Sequence, residues 1–459
     1  MSGSAGVVGS AGSAGRAGGG GVAGMSVGVT PGTSGGSPPS RPGSNSPSGG
    51  AAAASGAAAG SGTAGALANA GSGDSSSAGA AAAAGSGDSA GSGGPAAGSG
   101  EPSSAGAMAA AGSGAPSDAG SCQPDASCAA PANGVTINCQ KRFMFGVNYA
   151  WINFGEDFGG GARGVAATQA AVLTQLQEMK ASGVNVIRWW MHPSFYVEGV
   201  SWDAAGNPTG IAGSEAADIE AALALAEQAG VYLKLTLFSF DNFRGDDRAG
   251  HGLTRIITGD DTRAALIENV VKPIARSVAA SPHAARMISW DVINEPEWAI
   301  SGEDGLGDEP FDANPELMAV PFPVMERFVG DVVTALHAES KAPVTVGQAA
   351  IKWSHAFTQV NLDYYDVHFY GWVDQYFPIG AKSLADYGLG DKPVVVGEFP
   401  LDGWTNPNGT LDAEQIANKL FDAGYAGAKG WAFTKDGNWA ANKGKLQTFA
   451  AAKGCGVNF

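Results

Sequence analysis

Hydrophobic and polar positions divide the chain into two stretches of different character. Up to residue 121 there is no periodicity: the stretch is Gly, Ala, Ser and Pro, without Lys, without an aromatic ring and with few branched apolar side chains. From Phe143 onward, short β-branched or aromatic runs alternate with longer stretches whose apolar residues recur at helical spacing. Eight such units can be counted. Strands are predicted at Phe143–Tyr149, Asn185–Trp190, Tyr232–Ser239, Met287–Ile293, Pro343–Gly347, Tyr365–Phe369, Pro393–Gly397 and Gly430–Thr434. Helices are predicted at Ala167–Ser182, Ser214–Ala229, Thr262–Ala280, Pro323–Ser340 and Asp412–Ala423. Their starts are marked by Ser214, by Asp261 or Thr262, and by Thr410 ahead of Asp412 to Glu414. The fifth and sixth helical segments, around Ile351–Thr358 and Ala381–Tyr387, read as short or irregular.

Strands alternating with helices call for a parallel sheet covered by helices, and eight repeats call for a closed α/β structure, the (β/α)8 or TIM barrel. The rival is an open doubly wound sheet, which normally carries a Gly-rich phosphate turn after its first strand; Gly146-Val147-Asn148-Tyr149 is not one. The long excursions, Phe240–Asp261 and Glu297–Pro321, both follow strands, so they gather on the carboxyl face where such barrels build clefts. The expected organisation is therefore a disordered low-complexity linker over 1–121, a cysteine-containing lead-in over 122–139, and the barrel over 140–459. The linker gains too little apolar burial to offset the ordering of its backbone.

Charge and cysteines narrow the setting. The linker holds Arg16 and Arg41 against Asp74, Asp88, Glu101 and Asp118, so nearly all of the net charge of −17 falls on the folded part. A nucleic-acid backbone would be repelled, and neutral or cationic substrates fit. All 11 tryptophans lie after residue 121; Trp151, Trp189, Trp190, Trp298, Trp372 and Trp404 fall near strand ends, where sugar-facing and packing roles are both open. Cys122, Cys128, Cys139 and Cys455 flank the barrel. Three pairings are possible, and Cys122 with Cys128 and Cys139 with Cys455 is the expected one, because a closed barrel brings its first strand beside its last helix. Disulfides and a long tether suit an extracellular or cell-surface protein, expected to be monomeric. Met1 to Gly21 shows no recognisable signal peptide, and no segment is long and apolar enough to span a membrane.

Two predicted strands end by delivering a carboxylate to the cleft: Trp290-Asp291-Val292-Ile293-Asn294-Glu295-Pro296 and Val394-Val395-Val396-Gly397-Glu398-Phe399-Pro400. Strands four and seven face one another across a barrel mouth, so Glu295 and Glu398 can approach despite their separation in sequence. Cleavage of a glycosidic bond with retention needs two such carboxyl groups about 5 to 5.5 Å apart.

This pair of motifs resembles clan A glycoside hydrolases, most closely family five, over about residues 140 to 459. The resemblance implies that Glu295 of Asn294-Glu295-Pro296 is the acid/base and Glu398 the nucleophile. It also implies that Arg188 keeps the nucleophile ionised, that Asn294 hydrogen-bonds the sugar 2-hydroxyl, that His368 and Tyr370 contact substrate and nucleophile, and that Trp431 forms an aromatic floor. For each, a structural role in packing or ion pairing stands as the alternative. A metal site built from Asp291, Glu295, His368 and Glu398 is weighed as well, but Asp291 would lie more than about a nanometre deeper along its strand than Glu295; no cofactor is expected. Where many cellulases of the family carry a histidine after strand three, this chain has Phe238-Ser239-Phe240-Asp241-Asn242-Phe243. With its long loops after strands three and four, it leans to β-1,4-mannan as the polysaccharide or oligosaccharide substrate. A β-1,4-glucanase and an exo-β-glycosidase are the enzymatic alternatives, and a tethered polysaccharide-binding surface protein the non-enzymatic one.

Overall fold

In the computed structural model of the protein, the described residues are 127–128, 131–137, 140–195, 199–245, 252–433 and 437–459. The predicted linker, Cys122 and Cys139 lie outside them. Eight strands run parallel: β1 (Met144–Asn148), β2 (Val186–Trp190), β3 (Tyr232–Ser239), β4 (Met287–Asn294), β5 (Val344–Gln348), β6 (Tyr365–His368), β7 (Val394–Pro400) and β8 (Gly427–Trp431). Each pairs with its sequence neighbours and β8 returns to β1, closing the barrel. All eight are buried along almost their whole length, which is why they read as near-continuous apolar runs.

The helices α1 (Val165–Ala181), α2 (Glu215–Ala229), α3 (residues 260–280), α4 (Phe322–Glu339), α5 (Ala413–Asp422) and α6 (Trp439–Lys453) surround the strands. α4 shows the logic: Phe322, Met325, Phe328, Val329, Val332, Val333 and Leu336 are buried at helical spacing, and each such large side chain contributes about 1.5–3 kcal/mol on burial. The predicted continuous helix before β4 is interrupted. Asp260–Leu266 and Lys272–Ala280 are joined by a π-helical turn, Ile267–Val271, because Pro273 has no N–H to give the preceding turn. Its N-cap is Gly259 rather than Asp261 or Thr262. Ser214 precedes α2 but makes no side-chain cap; it accepts instead from the Gly161 N–H. α5 starts at Asp412, which forms a capping box with Gln415. After β5 and β6 the chain makes only 3-10 turns in the regions predicted irregular, Ile351–Trp353 and Ala385–Tyr387.

The eighth strand begins three residues earlier than its apolar pattern predicts. Gly427 looks like a turn residue, yet it lies in β8 because the neighbouring strand leaves no room for a larger one: a Cβ at Gly427 would meet Met144 Cβ at 2.7 Å.

Below the barrel, the antiparallel hairpin of Val135–Ile137 and Gln140–Arg142 covers the amino ends of the strands. Ile137 packs with Met144, Val186, Tyr232, Ile288, Tyr364, Val395 and Ala426, an apolar layer distinct from the main core. The hairpin brings Cys128 to the chain end, where it forms a disulfide with Cys455 across a Cα separation of 5.7 Å. The expected pairings are thereby corrected. The barrel does bring the start of the domain beside its end, but the residue held against the turn Gly454–Gly456 is Cys128; Arg142 reaches both Cys128 Sγ and the Cys455 carbonyl. Mass mapping of non-reduced peptides should find Cys128 linked to Cys455, and Cys455→Ser should lower the unfolding free energy by about 3 kcal/mol in denaturant titrations.

Candidate active site

The upper interior of the barrel is charged, against the apolar layers usual for the fold. Asn148, Arg188, Lys234, Asp291, Asp366 and Lys429 are all fully buried. Arg188 organises them: its Nε donates to Asp291 Oδ2 at 2.9 Å, Nη1 to Asn148 Oδ1 at 2.9 Å and to Glu398 Oε1 at 2.7 Å, and Nη2 to Asn294 Oδ1 at 2.9 Å. Lys234 pairs with Asp366 and lies 3.4 Å from Asp291. Asp291 itself accepts from the Gly347 N–H and Thr236 Oγ1. Burial alone would favour neutral arginine, but Asp291, Glu398 and Asp366 outweigh it and keep the guanidinium charged.

Glu295 and Glu398 sit on top of this layer, 5% and 4% exposed. Glu295 follows β4 in left-handed backbone geometry, φ 47° and ψ 51°, and its N–H donates to the Gly347 carbonyl at 2.6 Å. The register of β6 against β7 shifts at His368, which pairs with Glu398; such a bulge re-aims side chains at a strand end. Gly397 is required beside it, since a Cβ there would lie 2.2 Å from Asp366 Oδ1 and 3.0 Å from His368 Nε2.

The two carboxyl groups converge on His368. Its Nδ1 lies 2.7 Å from Glu295 Oε1 and 3.6 Å from Glu398 Oε2, and one atom from each of the three residues falls within 4.8 Å of the others. Tyr370 Oη donates to Glu398 Oε2 at 2.7 Å, and Trp298 Nε1 donates to Glu295 Oε2 at 2.9 Å. Asp291 faces Arg188 and Lys234 and is not part of this cluster, so the four-residue metal set is not assembled. The Arg188 cation beside Glu398 works against a second cation there.

Trp431 ends β8 at 8% exposure, packed against Trp190 at 5.5 Å and Trp151 at 6.3 Å between ring centroids. Trp189, Trp190 and Trp404 are buried, whereas Trp151, Trp298 and Trp372 are partly exposed. Sequence reasoning overlooked the bond from Trp298 to Glu295, for which the three-residue spacing was the available signal. It also overlooked Lys234, Asp366 and Lys429, whose signal was a charge inside an apolar strand.

Burial drives the electrostatics. It pushes Glu295 well above the ordinary carboxylate range, with the neighbouring Glu398 charge adding to the rise. Glu398 rises to about 7 through burial, opposed by Arg188 and by the Tyr370 hydrogen bond. The cation therefore restrains the rise without cancelling it, a weaker hold than the sequence suggested. His368 is held well below its usual value by burial and by Arg188 and Lys234, leaving a neutral imidazole. The two carboxyls therefore titrate as a pair, above the ordinary carboxylate range.

No family profile matches the chain. Over 339 residues it is 26% identical to the mannan endo-1,4-β-mannosidase of Cryptopygus antarcticus, covering 65% of this chain and 82% of that protein. It is 24% identical over 348 residues to the enzyme of the same name from Mytilus edulis, covering 68% and 89%. The solved β-1,4-mannanase of the sea hare Aplysia kurodai shares the fold with a TM-score of 0.60 and 21% identity, over 72% of this chain and 99% of that one. The chain is thus similar in sequence to two mannan endo-1,4-β-mannosidases and shares the barrel fold of a solved β-1,4-mannanase.

Removing the central cation leaves buried Glu398 without its arginine and Asp291 with Lys234 as its remaining counter-charge. Arg188→Met should destabilise the fold by about 3–5 kcal/mol in denaturant titrations. Because burial and their mutual charge raise both carboxyls, the Glu295–Glu398 pair should lose its first proton at a midpoint above 4.5, toward 7. The second proton should leave at a higher pH, and a carbon-13 NMR titration of the glutamate carboxyls checks both steps.

Proposed function

We propose that the protein is a retaining endo-β-1,4-glycanase whose substrate is β-1,4-mannan. The observation that carries this reading is the convergence of two buried, differently partnered carboxyl groups on one imidazole, with one atom of each residue within 4.8 Å of the others. That arrangement suits a double displacement. Glu398 attacks the anomeric carbon, forming a C–O bond as the glycosidic C–O bond breaks, while Glu295 gives its proton to the departing oxygen. Water then loses a proton to Glu295 and displaces Glu398, so two inversions return the original configuration. Arg188 and Tyr370 each hold one oxygen of Glu398, leaving the carboxylate oriented. The neighbouring Glu398 charge raises the proton affinity of the acid/base.

Asn294, His368 and Trp431 take the supporting roles: Asn294 beside the sugar 2-hydroxyl, His368 between the two carboxyls, and Trp431 with Trp151 as an aromatic wall for a pyranose face. The choice of mannan is supported by the names of the two curated relatives, both mannan endo-1,4-β-mannosidases. The barrel over 140–459 is the catalytic domain, the segment 1–121 a tether, and the setting extracellular, for which the Cys128–Cys455 disulfide speaks. No helix among the described residues is long and apolar enough to cross a membrane.

Glu398→Ala should leave polysaccharide binding intact and lower reducing-sugar release from β-1,4-mannan by about four orders of magnitude or more. Wild-type protein that releases sugar from carboxymethyl-cellulose but none from mannan would replace the substrate assignment; unchanged release by the variant would remove the nucleophile.

A further inference from the structure

Trp298 stands three residues after Glu295, in the 3-10 turn Pro296–Ala299 that begins where β4 ends. An indole nitrogen only donates, so its 2.9 Å contact with Glu295 Oε2 is an N–H feeding a carboxyl oxygen. The ring has little freedom to leave. It packs edge-on against the fully buried Trp353 at 5.5 Å and 87°, and against Trp372 at 6.0 Å. The Lys352 ammonium lies 3.9 Å over Trp353 and 5.5 Å over Trp372, bracing the same aromatic group. Glu295 needs such bracing, because a non-glycine residue in left-handed geometry persists only where its surroundings impose it.

We infer that Trp298 is a positioning residue for Glu295: its N–H fixes the plane of the carboxyl group and stabilises the carboxylate left once the proton has passed to the leaving oxygen. This rests on the acid/base role proposed above. The titratable and charged groups around Glu295 are Glu398 on β7, Arg188 on β2, His368 on β6 with Tyr370 just beyond it, and Glu297 in the same turn. Burial, Glu398 and Glu297 raise its proton affinity, whereas Trp298 and Arg188 lower it. A hydrogen bond to the charged form makes the acid stronger, so Trp298 favours the half of the reaction in which the proton leaves.

The test compares wild type with Trp298→Phe, which keeps an aromatic ring and deletes the N–H. In a carbon-13 NMR titration of the glutamate carboxyls, with Glu295 assigned by its loss in Glu295→Gln, the Glu295 midpoint should move up by about one pH unit. The basic limb of kcat/KM should move up with it. Turnover of β-1,4-mannan should fall about tenfold, while kcat/KM for a 2,4-dinitrophenyl β-mannoside, whose leaving group needs no proton, should stay within about twofold. An unmoved midpoint overturns the inference, as does an equal loss on both substrates with the basic limb in place, which marks a packing role. Should Phe disturb folding, benzothienylalanine at 298, isosteric with Trp but lacking the N–H, repeats the comparison. The titration needs no substrate, so a protein inactive on mannan defeats the functional reading while the midpoint still decides the role of Trp298.

Discussion

The burial of one guanidinium sets the terms for everything above it. Arg188 is wholly removed from water and ties β2 to Asn148 on β1, to Asp291 and Asn294 on β4, and to Glu398 on β7. Removing an arginine from water is costly unless its donors are matched, and a match is possible only when four strands, several of them not neighbours, hold their registers together. Closure of the barrel and placement of Glu398 are therefore one event. A chain that mispaired β7 would lose a carboxylate at the site and leave a cation stranded in the core.

That coupling also explains why two chemically identical side chains differ. Both glutamates are buried, yet Glu398 has a cation and a phenol as donors, whereas Glu295 has an indole, a neutral imidazole and the field of Glu398 itself. Burial raises both; the asymmetry of partners separates them. The aromatic groups, Trp151, Trp190 and Trp431 in one and Trp298, Trp353 and Trp372 in the other, keep the surroundings of low polarity, with Trp151, Trp298 and Trp372 partly exposed.

Much of the barrel was legible because strands buried on both faces leave uninterrupted apolar runs; Tyr232–Ser239 coincides with β3. The start of β8 was placed three residues late because its identity there lies in the absence of a side chain at Gly427, a constraint imposed by Met144 from a distant part of the chain. The disulfide was misassigned for a similar reason: nothing local signals that a hairpin carries Cys128 under the barrel. Glu295 and Glu398 were identifiable as candidates from their position at strand ends. Lys234 and Asp366 were not, since a lone charge in an apolar run acquires meaning only when the register brings its counter-charge alongside. Trp298 lay within sight of Glu295, but a 3-10 turn rather than a helix or strand determines which way it faces, and three residues of sequence do not specify such a turn.

The apolar layer under the barrel, with Ile137 stoppering Met144, Val186 and Tyr232, has a kinetic corollary. With hydrocarbon closing the floor, protons exchanging between bulk water and the charged interior travel through the mouth by which a sugar chain enters. Lys429 is fully buried in that interior, and burial brings its ammonium down to about 7. The water of the second displacement therefore reaches Glu295 from the carboxyl side, away from the hydrocarbon floor.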